Sequence, residues 1–305
     1  MSVPLTADGH PKLPVWSTVG NAYLIWARNL PELLRMSWLW LIIYTPLAYL
    51  FWWYSQPYFI ASMQAIHPHR SNLTPVLNQA LGLLGNLITL PMLASIAVGW
   101  HRLLLRAERS NTARYLRFDR IVVAYAIVSF LCLLLPQAPS FLQQTFRYLM
   151  QGDDLGPEAT ANLRAAIAYI QFLASIATIG IWYAATRLTV YLPGKALDRQ
   201  DITLARVWRT TRDNGWRLFF GHLLAILPIF LLVIPYVRIT RAHGSRLSNT
   251  AASVAISVVD ILSGMIAIAF LSLAYRHFFE EQGTQRAWQA ADESSSNDSP
   301  SAVST

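Results

Sequence analysis

Charge is the scarcest commodity in this sequence. Asp, Glu, Lys and Arg make up only 13% of its 305 residues, against roughly 25% in an ordinary soluble domain. That shortage excludes a water-facing surface over most of the chain. Lysine is almost missing: two of the 24 basic residues are lysine and the other 22 are arginine. Cysteine is down to Cys132, inside an apolar run. One thiol excludes an intrachain disulfide and a thiolate metal set, and in such a run it reads as packing.

Catalytic signatures are also lacking. The chain has no HExxH, Walker-type glycine loop, GxSxG elbow or CxxC, so nothing supplies a metal base, a phosphate cradle or an activated nucleophile. His67-Pro68-His69 offers two imidazoles with no carboxylate or Cys nearby, too few donors for a metal. The expectation is a non-enzyme with no cofactor and no metal. No cleavable signal peptide is expected either. The first apolar run ends in Phe51-Trp52-Trp53-Tyr54, not in the small residues a signal peptidase needs.

What is plentiful is apolar and aromatic. Hydrophobic residues reach 54%, with 11 Trp, 13 Tyr and 13 Phe, enough to line two membrane–water boundaries. Six runs approach or exceed the roughly 20 residues a helix needs to cross about 30 Å of hydrocarbon: 36–55, 80–100, 121–141, 165–186, 219–236 and 251–275. Pro46, Pro91 and Pro228 lie within them, as membrane helices tolerate. The expected fold is an all-α, polytopic bundle of six transmembrane helices, with amphipathic helices in the cytoplasmic interface. The domain is residues 15–280, between a disordered N-terminus (1–14) and a disordered cytoplasmic tail (281–305).

Arginine sets the orientation. With both termini cytoplasmic, the inner segments hold 18 Lys and Arg and the outer segments six, the bias of the positive-inside rule. A net charge of +8 would suggest nucleic acid in a soluble chain. Sorted by membrane side, it implies a lipid partner instead and no nucleic acid.

Arg187 to Leu218 is the densest basic stretch. Asp201 is the expected N-cap of a short helix and Asn214-Gly215 its left-handed stop, with Pro193-Gly194-Lys195 ending the preceding helix. Leu204, Ala205, Val207, Trp208 and Thr211 share one arc of that helix, while Arg206, Arg209, Thr210 and Asp213 share the opposite one. Such a helix suits the headgroup layer, and Trp216-Arg217 would anchor the next span. A second interfacial helix is expected over 15–35. The candidate contacts to anionic phospholipid headgroups, or to a protein partner or second copy, are Arg102, Arg106, Arg199, Arg206, Arg209, Arg212, Trp208 and Trp216.

Asp260 is the acidic residue deep in a span. There a carboxylate costs a few kcal/mol and faces the bundle interior. Ser253, Ser257, Asp260, Gly264 and Ala267 form a small, polar stripe that the sequence pairs with Ala168, Gln171, Ser175 and Thr178. Asp260, Ser257, Gln171 and Ser175 are therefore a candidate intramembrane polar site, either a proton or cation site or a packing contact. His222 lies about one turn inside the fifth run, without an evident partner.

Trp100-His101-Arg102-Leu103-Leu104-Leu105, and Leu192-Pro193 through Val207-Trp208-Arg209-Thr210-Thr211 to Asn214-Gly215-Trp216-Arg217-Leu218, resemble a group of uncharacterised proteobacterial six-helix inner-membrane proteins. More distantly, the layout is similar to the membrane domain of bacterial glycerophosphodiester phosphodiesterases. The resemblance implies a multi-pass protein of the bacterial inner membrane. It implies no phosphodiesterase activity, because that active site belongs to a soluble barrel this chain lacks. The expected function is a non-enzymatic membrane protein with basic loops on anionic lipid or a partner. The alternative is a transporter of a small solute or lipid along a path near Asp260.

Overall fold

The computed structural model describes residues 12–43, 46–47, 74–108, 119–150, 157–242 and 246–280. Among them there is no strand, which bears out the all-α expectation. The helices are α1 (Val15–Arg28), α2 (Thr74–Arg106), α3 (Arg120–Met150), α4 (Pro157–Thr189), α5 (Tyr191–Ala196), α6 (Leu204–Thr210), α7 (Gly215–Ala242) and α8 (Arg246–Tyr275). Residues 30–43 are helical too, and a π-helical turn, Arg276–Glu280, follows α8.

Among the described residues four helices are long and apolar enough to cross a membrane: Leu83–Arg106, Arg120–Pro139, Ala165–Ala196 and Ile261–Glu280. They match four of the six expected runs. The expected span 219–236 falls inside α7, a 28-residue helix, or about 42 Å at 1.5 Å per residue. Half of the first expected span lies outside the described residues, as do His67-Pro68-His69 and the tail from 281. Pro136 does not end the third run. The helix continues through Pro136 and Pro139 to Met150.

Within the described residues α2, α3, α4, α7 and α8 form a closed ring, each packed on the next and α8 returning to α2. Of the four candidate spans, that of α8 is the most buried and that of α4 the least. Leu131, Phe172, Ile176 and Ile179 are exposed on α3 and α4, the side chains a lipid-facing wall requires. α1 does not lie free in an interface. Thr18, Val19 and Ala22 are buried, it packs on α7 and α8, and the Tyr23 hydroxyl donates to the Ala225 carbonyl at 2.7 Å.

The core is concentrated at the arginine-rich end. One cluster joins Leu13, Val19, Val207, Leu218, Phe270 and Tyr275. A second joins Ala94 and Val98 of α2 to Val122 and Tyr125 of α3. A third seats Leu33, Met36 and Trp40 against Trp100 and Met265. The N-terminal lead-in therefore ends earlier than expected. Leu13 is fully buried, its N–H donates to Asn214 Oδ1 at 2.8 Å, and its carbonyl accepts from Arg217 at 3.0 Å.

Gly221 sets the approach of α7 to α8, since a Cβ there would collide with the Phe270 ring. Gly221→Ala should cost about 1–3 kcal/mol through overpacking, measured as a loss of thermal or denaturant stability in detergent. Adding Phe270→Leu should recover part of it, because the colliding ring is then gone.

Candidate functional site

The arginine-rich end is built by helices that stop beside one another. The last carbonyls of a helix have no donor within it, and a guanidinium carries five N–H donors in a planar fork. Arg102 Nε donates to the Ala196 carbonyl at 2.8 Å and Arg106 to the Leu197 carbonyl at 3.0 Å, so α2 caps the end of α5. Arg276 donates to the Leu104 carbonyl at 2.7 Å, so the end of α8 caps α2 in turn. Glu108 lies 3.7 Å from Arg102 and 3.5 Å from Arg106. Where α2 and α5 end, Ala107 and Asp198 take positive φ (53° and 57°), the left-handed turn that closes a helix.

Arg187, at the end of α4, reaches across to α6. It donates to the Trp208 carbonyl and, at 3.3 Å, to the Thr211 hydroxyl. Its guanidinium sits 3.7 Å from the centre of the Trp208 ring, a cation–π contact. Trp216 stacks near Tyr183 and Phe220, with ring centres at 4.7 and 5.8 Å. Close approach is possible here because residue 215 is glycine: a Cβ would strike the Tyr183 hydroxyl.

Three local expectations are corrected. The N-cap of α6 is Thr203, whose hydroxyl accepts from Arg206 N–H at 3.2 Å. Asp201 is drawn away by charge: it takes two 2.7 Å hydrogen bonds from Arg199 and one of 3.2 Å from Arg206. Asn214-Gly215 does not stop the chain in a left-handed turn. Gly215 is right-handed helical and opens α7 after a 3₁₀ turn over Arg212–Asn214. Pro193-Gly194-Lys195, expected as a helix stop, lies inside α5, where Pro occupies the first turn and forfeits no bond.

The candidate headgroup contacts thus divide. Arg102 and Arg106 hold carbonyls, and Arg199 and Arg206 hold Asp201. Arg209 and Arg212 are exposed with no hydrogen bond or ion pair among the described residues, next to the exposed Trp208 and Trp216. The stripes on α4 and α8 are not packed against each other as expected. Gln171 and Ser175 are exposed, and α4 packs on α3 and α7, across the ring from α8. Ser175 needs no facing helix, because its hydroxyl donates to the Gln171 carbonyl one turn back at 2.8 Å. The side chains of Ser257 and Asp260 lie outside the described residues.

Sequence reasoning missed a buried polar hub. His101 Nδ1 is 2.7 Å from Ser272 Oγ and Nε2 is 3.1 Å from the Tyr125 hydroxyl. Ser272 itself donates to the Ile268 carbonyl, so it accepts from His101 Nδ1–H, leaving Nε2 to accept from Tyr125. The three residues come from α2, α3 and α8, with His101 and Ser272 171 positions apart. The only local sign was a histidine at the end of an apolar run.

Arg102→Leu leaves the Ala196 carbonyl without its donor and should cost about 1–3 kcal/mol of unfolding free energy. The outer Arg106→Leu should cost less. A clamp of another kind is pH-dependent. Hydrogen bonds from Arg199, aided by Arg206, hold the Asp201 carboxyl at about 2, below its ordinary 3.8. A depressed carboxyl stabilises the fold fully above 3.8 and loses that contribution as pH falls through about 2. The thermal midpoint of wild type minus that of Asp201→Asn should follow that course: level at neutral pH, vanishing near pH 2.

Compared with protein-family models, curated proteins and solved structures, the chain matches none.

Proposed function

We propose that this chain is a non-enzymatic, multi-pass protein of the bacterial inner membrane whose arginine-rich, cytoplasmic end engages anionic phospholipid headgroups. The observation that carries this reading is the division among the arginines. Among the described residues, most guanidiniums at this end bind carbonyls or carboxylates of the chain itself. Arg209 and Arg212 instead stand exposed with no such bond among the described residues, on the short stretch that also presents Trp208 and Trp216 at 41% and 55% exposure.

Paired in this way, the two residue types suit one depth in a bilayer. Indole rings favour the headgroup level, and each basic residue near an anionic leaflet contributes about 1 kcal/mol. The apolar arc of α6 is divided to match: Val207 and Thr211 turn into the core, while Leu204 and Trp208 remain outside.

The test uses the full chain in nanodiscs of mixed phosphatidylglycerol and phosphatidylcholine, reading retained lipid by native mass spectrometry. Wild type should retain the anionic lipid preferentially. Arg209→Gln with Arg212→Gln should lower that preference by about tenfold or more, and added salt should weaken wild type the same way. Equal retention by wild type and the double variant would remove the basis of the reading.

A further inference from the structure

The ring of helices is not filled. Between α2, α3, α4, α7 and α8 lies a cavity of about 370 Å³, near the lower end of the roughly 300–1,000 Å³ of small-molecule pockets. Its wall runs along α3 from Tyr125 to Gln137, twelve helical steps or about 18 Å at the helical rise. The space is therefore a slot rather than a sphere. Leu90, Ala94, Ala267 and Leu271 typify the lining, and no Asp, Glu, Lys or Arg lines it among the described residues. Leu133 and Trp182 line it while being 47% and 43% exposed, so the slot reaches side chains that also face outward on α3 and α4.

Two polar groups in this lining lack a partner. His222 Nδ1 and Ser129 Oγ are shut off from solvent and make no hydrogen bond. Both residues line the slot. The contrast with His101 is informative: one imidazole has both nitrogens bonded, while the other has only the edge of Phe270, at 6.4 Å between ring centres. Buried polar groups without partners are uncommon, and each calls for an explanation such as an absent ligand.

We propose that the slot binds a neutral bilayer lipid, its apolar chain filling the space and a carbonyl or hydroxyl oxygen hydrogen-bonding to His222 and Ser129. Neutrality follows from the lining, which has no charge to balance a phosphate or carboxylate. An elongated shape, lining side chains that also face outward on α3 and α4, and polar groups near its arginine-rich end suit an apolar chain lying along the slot. Acylglycerols and prenylated quinones share this chemistry. The inference stands apart from the headgroup reading, which concerns the outer surface of α6.

Photolabelling of the full chain in nanodiscs tests it, with two probes used separately: a diacylglycerol with a diazirine in one acyl chain, and a decyl-benzoquinone with a diazirine in its tail. Adducts of at least one probe should map to 90–97 and 129–137, and which probe labels identifies the source of the oxygen. Gly264 borders the slot and a Cβ there meets nothing within 4 Å, so Gly264→Leu should fill the space without a clash. That variant should cut labelling of both segments at least about tenfold while its thermal midpoint is unchanged or raised. His222→Phe keeps an aromatic ring and loses the nitrogens, and should cut labelling by about tenfold. Absence of adducts in wild type with both probes, or labelling equal in wild type and Gly264→Leu, overturns the proposal.

Discussion

The guanidinium on a helix-end carbonyl is the interaction on which the arrangement of this protein rests. Each helix that ends at the arginine-rich face leaves acceptors its own backbone cannot satisfy. An apolar environment makes such acceptors costly. Arg102 and Arg106 resolve this for α5, and Arg276 resolves it for α2. In each case the donor comes from a different helix than the acceptor, so satisfying the backbone also fixes which helices end side by side. Lysine could not substitute on equal terms. Its ammonium is a compact, strongly hydrated charge, whereas guanidinium is planar and more weakly hydrated. That is a physical reason for 22 arginines beside two lysines.

Once the ends are tied, the helices splay into a ring. At the tied end the interior is filled by Leu13, α1, α5 and the large side chains of α8, with Phe270 and Tyr275 fully buried. Farther along, the inner residues are small: Ala94 and Ala97 on α2, Gly264 and Ala267 on α8. Small residues let membrane helices approach closely, but in a ring they face its axis and leave the slot instead. The fold thus combines a dense, hydrogen-bonded end with an open middle, and the two candidate sites sit on these two different parts.

Much of the fold was legible because lipid imposes strong periodic constraints. Four apolar runs became the helices long enough to cross a membrane, and Val15 was read as the start of a helix. The errors fall where local rules competed. Asp201 had the right position and chemistry for an N-cap, yet two nearby arginines outbid the backbone N–H for its oxygens. Asn214-Gly215 looked like a helix stop, but Asn214 is held by the N–H of Leu13, 201 residues away. Of the candidate site, residue type was readable and availability was not. Nothing in the spacing of Arg102 and Arg209 says that one meets a carbonyl and the other does not.

Sequence by itself determined the class of solvent and the kind of element. Scarce charge and long apolar runs leave helices that satisfy their own backbones as the economical answer in hydrocarbon. Tertiary structure alone decided which arginines are engaged, that α4 and α8 lie across the ring from each other, and that His101 is bonded while His222 is not. These depend on neighbours tens to hundreds of positions away, and helical periodicity reports which face of a helix is apolar without saying what that face meets.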